Sequence, residues 1–458
     1  MDFSDIIARQ RGFFHSGSTR SLEFRREQLN KLADLLVTHE AELFAALHAD
    51  LRKSPQDAYL SEIGFVLGEI RHALRHLASW MKPERRRSPM LAWPSRSHVR
   101  PEPFGVALII GPWNYPLQLL LSPLVGSIAA GNCAILKPSE FAPHTAEVLD
   151  QMIRSAYPEE YLTVIRGDKE TSEGLLREKF DTLFFTGGTE VGRAVMAAAA
   201  RHLTPVTLEL GGKCPCIVCH DAPVETTARR IIWGKFMNAG QTCVAPDHVW
   251  VDRRIAPALM DAMRKTLADF YGDSPQQCPD YGRIINLRHL ERLRGYLKQG
   301  RVICGGESDP GDLYMAPTVL TEVPIDSPVM SDEIFGPVLP VLEFSDVDVV
   351  LASLRERPKP LAVYLFTGDR QLQERVIDGT QSGGVCVNDT ILQILGNDLP
   401  FGGIGESGMG DYHGRASFDC FSHRRPVLRR SLRIDPEFRY PPLEIPLKWL
   451  KRLLRFSR

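Results

Sequence analysis

The sequence has no excess charge of either sign: 55 basic and 56 acidic side chains in 458 residues give a formal net charge of −1. That balance leaves no electrostatic footprint for nucleic acid. Cysteine is sparse and irregular. Nine residues, an odd number without repeating spacing, argue against a disulfide framework and fit a reducing, cytoplasmic setting. The opening stretch MDFSDIIARQRGFF has charges throughout and no apolar run, so it is not expected to act as a secretory signal. No internal repeat is present.

Two further absences narrow the reading. Residues 103–136 contain no charge, but Pro112, Asn114, Pro116, Pro123 and Asn132 interrupt them. A spanning helix wants about 20 mainly apolar residues with an internally satisfied backbone. A buried strand, a loop and a buried helix fit better. Cys214, Cys216 and Cys219 stand close together but lack a second ligand cluster, and zinc wants four ligands. No metal is expected there; Cys216-Ile217-Val218 reads as a strand.

What is present is a chain of near-average composition, long enough for two or more domains and a sizeable core. Residues 23–51 carry apolar side chains at helical spacing, as do residues 61–80, and predict a helical layer. Residues 81–103 hold several prolines and the run Arg85-Arg86-Arg87, and predict an extended excursion. The apolar run 105–111 predicts a buried strand, ending in Pro112-Trp113-Asn114-Tyr115-Pro116. Asn114 there either donates hydrogen bonds into a site or caps the next helix. Residues 132–140 predict a second buried strand ending in Lys137, placed to reach a ribose hydroxyl or a phosphate, or simply exposed. A third strand, 181–185, leads through Thr186-Gly187-Gly188 and on to Gly192 into an alanine-rich helix. Strand, glycine turn, helix is the dinucleotide layout, although the glycine spacing is not G-x-G-x-x-G.

Two residues suggest chemistry. Cys243 lies in the small, uncharged loop NAGQTCVAP, and Glu209 lies upstream in LELGGK. A thiol and a carboxylate form a nucleophile and a candidate general base; each alone is also an ordinary core or surface residue. Glu333, before a Gly-Pro turn, is placed either to hold diol hydroxyls or to cap a helix. The glycine-rich run 399–410 suits a close loop over a ligand. At the far end, Leu447, Trp449, Leu450, Leu453 and Leu454 fall on one side of a helix and Lys448, Lys451, Arg452 and Arg455 on the other. A basic amphipathic helix with tryptophan suits an anionic membrane surface, or packs on the body or a partner subunit.

Seven motifs stand in one order: IGPWNYP (110–116), LKPSE (136–140), FTGGTEVG (185–192), LELGGK (208–213), GQTC (240–243), EIFGP (333–337) and PFGGIGESGMG (400–410). In this the chain resembles the aldehyde dehydrogenase superfamily, and within it the class 3, fatty aldehyde dehydrogenase-like branch. The resemblance implies an α/β fold: a Rossmann-type cofactor domain (1–82 and 104–208), an α/β catalytic domain (209–400), and a small oligomerisation β unit (83–103 and 411–440), followed by an amphipathic tail (441–458). It implies oxidation of aldehydes to carboxylic acids with NAD or NADP, a medium- to long-chain aliphatic or an aromatic aldehyde as substrate, and a cytoplasmic homodimer with peripheral membrane contact through the tail. Cys243 would be the nucleophile, Asn114 and the Cys243 N–H the oxyanion donors, and Glu209 the base that activates water. Lys137 and Glu333 would hold ribose hydroxyls and Glu140 would bear on the choice between NAD and NADP. Gly188 and Gly192 would lie near the pyrophosphate and Phe401 near the nicotinamide end, and Gly187 and Phe335 would also bind the cofactor. Gly188 departs from the serine or asparagine often found there, Cys219 from a common aspartate, and 393–398 from the usual stretch, which bears on specificity. Other readings are a CoA-acylating aldehyde dehydrogenase, against which Glu209 argues, and a catalytically silent, membrane-attached scaffold.

Overall fold

The uncharged stretch folds as a strand, Val106–Ile110, a helix, Gln118–Ala130, and a second strand, Cys133–Lys137. Every residue of the three is buried. Strands covered on both faces read as continuous apolar runs rather than alternations. The computed structural model describes residues 2–89, 92–435, 440–443 and 446–455. Among these residues no helix is long and apolar enough to cross a membrane.

These strands belong to a six-stranded sheet in the order Leu162–Val164, Cys133–Lys137, Val106–Ile110, Thr182–Gly187, Val206–Leu210, Gly408–Met409. The first five are parallel and the last is antiparallel. In chain order the parallel strands lie 3-2-1-4-5, the doubly wound arrangement. Its order reverses between Val106–Ile110 and Thr182–Gly187, and ligands gather at the carboxyl ends beside such a reversal.

The helical layer packs on this sheet. The single run expected over 23–51 is two helices, Leu22–Thr38 and Glu40–Leu51, divided at His39. Leu29, Leu32, Leu36, Leu43, Leu47 and Leu51 are fully buried, each contributing about 1.5–3 kcal/mol of apolar burial.

A second sheet has the order Arg301–Cys304, Thr318–Thr321, Val338–Phe344, His248–Asp252, Pro215–Val218, Ala362–Phe366, Gly384–Val387. Only its first pair is antiparallel. Glu209 is the fourth residue of a strand of the first sheet, so the chain changes sheet across 211–214, later than a division at 208/209. Glu84–Arg86, Ser95–Pro103 and Ser422–Arg430 form a separate three-stranded antiparallel sheet. The tail holds a helix, Leu447–Arg455, with Leu447 and Trp449 exposed. The side chains of Leu450, Leu453, Leu454 and Arg455 lie outside the described residues.

The start of helix Gln118–Ala130 depends on a charge pair that the sequence does not reveal. Glu62 and Lys53 are buried and joined at 2.7 Å. The second Glu62 oxygen accepts the N–H groups of Leu117 and Gln118, both at 3.0 Å. These are orphan donors of a helix that has no side-chain cap of its own. The Lys53 ammonium also lies 3.9 Å from the centre of the Tyr115 ring. Removing one partner of a buried pair typically costs about 3–5 kcal/mol. Lys53→Met should therefore lower the free energy of unfolding measured by urea titration by an amount in that range; an unchanged value would mean that Glu62 alone satisfies this corner.

Candidate active site

The carboxyl ends of the central strands open into a cavity of about 360 Å³. Asn114, Gly187, Gly188, Glu209, Cys243, Glu333, Phe335 and Phe401 line it; Lys137, Glu140 and Gly192 do not.

Cys243 follows a tight turn in which Asn238, Ala239 and Gly240 take φ values of 52°, 52° and 73°. Left-handed backbone at non-glycine residues persists only where the surroundings enforce it. Buried Gln241 does so. Its Nε2 donates to the carbonyls of Asn238 at 3.1 Å and Arg283 at 2.8 Å, and its Oε1 accepts the Ile285 N–H at 3.0 Å. A Cβ on Gly240 would lie 2.3 Å from the Gly336 carbonyl oxygen, which excludes other residues. The Cys214 thiol donates to the Cys243 carbonyl at 3.3 Å, and the Tyr115 and Thr242 hydroxyls are 2.6 Å apart.

Asn114 faces this loop. Its Nδ2 donates to the Gln241 carbonyl at 3.0 Å, while Asn238 Nδ2 donates to the Asn114 carbonyl at 2.8 Å. An amide nitrogen carries two protons, and Gln241 takes one. Asn114 does not cap the following helix; Glu62 satisfies those donors.

Burial sets the protonation of the acids here. Glu209 is buried, and among the described residues neither of its carboxylate oxygens has a hydrogen-bond partner. Desolvation, with the Asp411 charge adding, holds its carboxyl well above the usual range. Burial pushes the Cys243 thiol up to about 12, with Glu333 and Glu209 adding. It pushes Glu333 up to about 8, with Asp247 adding and the Gly212 N–H opposing. Burial therefore disfavours the charged form of each group in the ligand-free protein, and the fraction of Cys243 thiolate at neutral pH is smaller than an ordinary cysteine would show.

The remaining residues divide by position. Glu333 Oε1 is buried and has no hydrogen-bond partner among the described residues, and a Cβ on Gly211 would fall 1.9 Å from Oε2. Phe335, at φ 45°, packs edge-on against Trp113 at 5.2 Å. Phe401 stacks on His413 at 5.4 Å. Lys137 is buried rather than exposed; its Nζ donates to the Pro138 carbonyl at 2.8 Å and lies 3.7 Å from Glu140, which is exposed. Gly192 serves packing: a Cβ there would lie 2.5 Å from Leu210 Cδ2. Gly188 precedes helix Thr189–Ala200, which has no side-chain cap. In the departing stretch 393–398, Ile394 packs against the second core and Gln393 Nε2 donates to the Tyr364 hydroxyl at 3.3 Å.

The cavity also takes in His289, Arg292 and Tyr296, which sequence reading missed. They share one face of helix Leu287–Tyr296 at helical spacing, the signal that could have found them. Arg292 donates to the carbonyls of Glu333 at 3.2 Å and Ile334 at 2.8 Å, and so fixes the acidic turn.

Three observations fit a dinucleotide: the doubly wound strand order, an uncapped helix start at Gly188, and an unpaired carboxylate oxygen on Glu333. With a thiol and a carboxyl in the same cavity, they define a dinucleotide-dependent enzyme of the dehydrogenase class. The sequence model of the aldehyde dehydrogenase family matches residues 1–427. Aldehyde dehydrogenase family 3 member A2 of Mus musculus is 45% identical, over 98% of this chain and 93% of its own. The 4,4'-diaponeurosporen-aldehyde dehydrogenase of Staphylococcus aureus is 43% identical over 97% of each. The structure of the substrate-bound state of Staphylococcus aureus AldH superposes with a TM-score of 0.97 at 42% identity, covering 99% of this chain and 100% of that one. The chain belongs to the aldehyde dehydrogenase family, on its class 3 side, and oxidises aldehydes to carboxylic acids with NAD or NADP.

The raised thiol pKa has a direct readout. Labelling of Cys243 by iodoacetamide in the cofactor-free protein should rise about tenfold per pH unit up to about pH 10, where an ordinary thiol of pKa about 8.5 has levelled off. Mass spectrometry of the peptide after Lys235 measures it. A plateau below about pH 9 would mean that the loop already stabilises the thiolate.

Proposed function

We propose that Cys243 attacks the aldehyde carbon, that Asn114 and the Cys243 N–H hold the resulting oxyanion, and that Glu209 activates the water that releases the acid. The observation that carries this reading is the convergence of separate chain segments, with Asn114, Glu209 and Cys243, on one cavity. Once its proton has passed to solvent, the Cys243 thiolate adds to the carbonyl carbon and gives a tetrahedral adduct on Cys243. Oriented donors at the oxyanion stabilise it most in the transition state. A nicotinamide cofactor, when bound, supplies the acceptor for the hydride that leaves the former carbonyl carbon. Cys243 is then held as a thioester. Glu209 takes a proton from water, the hydroxide adds to the thioester, and the carboxylic acid departs as the thiol re-forms. A buried carboxyl of raised pKa suits a base working near neutral pH. Glu333 and Lys137 are assigned to ribose hydroxyls, Gly187 and Gly188 to the pyrophosphate, and Phe335 and Phe401 to the nicotinamide end. Glu140, ion-paired with Lys137, is assigned to selection against a 2′-phosphate.

The substrate is assigned as a medium- to long-chain aliphatic aldehyde. Trp113, Leu119, Leu210, Leu361, Phe401 and Tyr412 give the cavity apolar walls. The chain is assigned as a homodimer. Ser422–Arg430 is an unpaired edge of its sheet and Gly384–Val387 of another, and such edges accept a partner strand. The helix Leu447–Arg455, with exposed Leu447 and Trp449, is assigned to peripheral membrane contact.

Cys243→Ser should abolish turnover. Glu209→Gln should keep one burst of NAD(P)H formation and stall as an acyl-enzyme visible by mass spectrometry. Asn114→Ala should lower kcat about 100- to 1000-fold. Normal steady-state turnover in the first or second variant refutes the assignment of that residue. Added CoA should yield no acyl-CoA.

Across a series of aldehydes, kcat/KM should rise up to about fourfold per methylene, the value of about 0.8 kcal/mol for a buried CH₂; a flat series refutes the chain-length assignment. Leu447→Ser/Trp449→Ser should reduce liposome co-sedimentation in about 0.5 M salt, where charge attraction is screened; equal pelleting refutes the tail assignment.

A further inference from the structure

The three-stranded sheet gathers positive charge on one face. Its register sets Arg425 directly opposite Arg100 and Arg429 directly opposite Arg96. Arg85, on the third strand, stands opposite His98. Side chains alternate along a strand, so these five arginines share a face, and all five are exposed. The acid on that face is Glu102, 3.2 Å from Arg425 and 3.8 Å from Arg100. Among the described residues Arg85, Arg96 and Arg429 have no acidic partner within salt-bridge distance. Like charges directly opposite one another destabilise a sheet, and this sheet contains two such pairs. The chain as a whole is neutral to within one charge, so the face is a local concentration. Along the strands these arginines span four register steps, about 13 Å at about 3.3 Å per residue.

We propose that this arginine face seats the protein on the phosphate headgroups of an anionic bilayer. A patch of guanidinium groups spread across three strands matches a plane of phosphates, which they bind bidentately. The strand Ser422–Arg430 leads in chain order to the helix Leu447–Arg455, whose Lys448, Lys451 and Arg452 are exposed beside Leu447 and Trp449. That neighbour favours a lipid surface over a nucleic acid, a choice that rests on the tail assignment above. A second copy pairing along the outer edge of Ser422–Arg430 would use the backbone groups of that edge.

Flotation of the full chain with vesicles of about three parts phosphatidylcholine to one part phosphatidylglycerol tests this. Each arginine near such a surface contributes about fivefold in partitioning. The quadruple variant Arg96→Gln/Arg100→Gln/Arg425→Gln/Arg429→Gln should partition at least about 100-fold less in about 0.05 M salt, and the double variant Arg96→Gln/Arg429→Gln about 25-fold less. In about 0.5 M salt the variants and the parent should float alike, because the face is screened. Turnover of a short, water-soluble aldehyde should be unchanged in the double variant. The parent should not gain from the face on pure phosphatidylcholine.

Equal flotation of parent and variants in low salt overturns the proposal. So does a loss of dimer in the double variant without loss of flotation, which would make the face an interface between copies. Binding of a duplex DNA oligonucleotide more tightly than of the vesicles overturns it in favour of a nucleic acid. A failure of the tail assignment reads differently: flotation in high salt vanishes while the difference between parent and variants in low salt persists.

Discussion

The site depends on the hydrogen bonds that tie the end of one sheet to the turn before the nucleophile. Asn114 Nδ2 donates to the Gln241 carbonyl, and Asn238 Nδ2 donates back to the Asn114 carbonyl. Asn114 extends a strand of the first sheet, whereas Asn238 and Gln241 belong to the turn leading into the second. The bonds are buried, where an unmatched amide costs about 1–3 kcal/mol, so the two halves of the molecule are held in one alignment. The positive φ values at Asn238 and Ala239 are sustained by the same contacts. Gln241 adds bonds to Arg283 and Ile285 and anchors the turn from its far side. Preorganisation of this kind places a nucleophile without reordering it at the moment of reaction.

Electrostatics runs against the chemistry until a ligand arrives. Burial disfavours ionisation of Cys243, Glu209 and Glu333, and the two carboxyl groups, when charged, raise the cost of forming the thiolate. The arrangement keeps the thiol unreactive in the resting protein and makes its ionisation dependent on whatever positive charge or hydrogen-bond donor enters the cavity. The same low dielectric strengthens every donor aimed at a developing oxyanion.

The parts legible in the sequence are those whose signal is local. The runs 105–111 and 132–137 announce buried parallel strands because both faces are covered, and the prolines around Asn114 mark the turn. The order of seven motifs identified the family where no single motif would. What stayed hidden is pairing over distance. Lys53 and Glu62 look like ordinary surface residues, yet they lie buried and start helix Gln118–Ala130. The Cys214 thiol on the Cys243 carbonyl and the Tyr115 hydroxyl against Thr242 join segments with no shared pattern. His289, Arg292 and Tyr296 were recoverable in principle from one helix face, but polar residues at that spacing are usual on solvated helices.

The glycines of the motifs separate into two kinds. At Gly187, Gly192, Gly211 and Gly240 a Cβ would collide with Phe185, Leu210, Glu333 and Gly336 respectively. Those positions are fixed by close packing between elements, and a substitution would move a functional side chain rather than stiffen a loop. Gly188 has nothing within 4 Å of its would-be Cβ and an ordinary φ of −71°. Neither packing nor backbone conformation requires glycine there. The consequence falls on the helix that follows: a serine or asparagine would occupy one of its first N–H groups, whereas glycine leaves them all to an incoming anion. The departure from the family pattern at this position thus costs the fold nothing and leaves the start of helix Thr189–Ala200 open at the rim of the cavity.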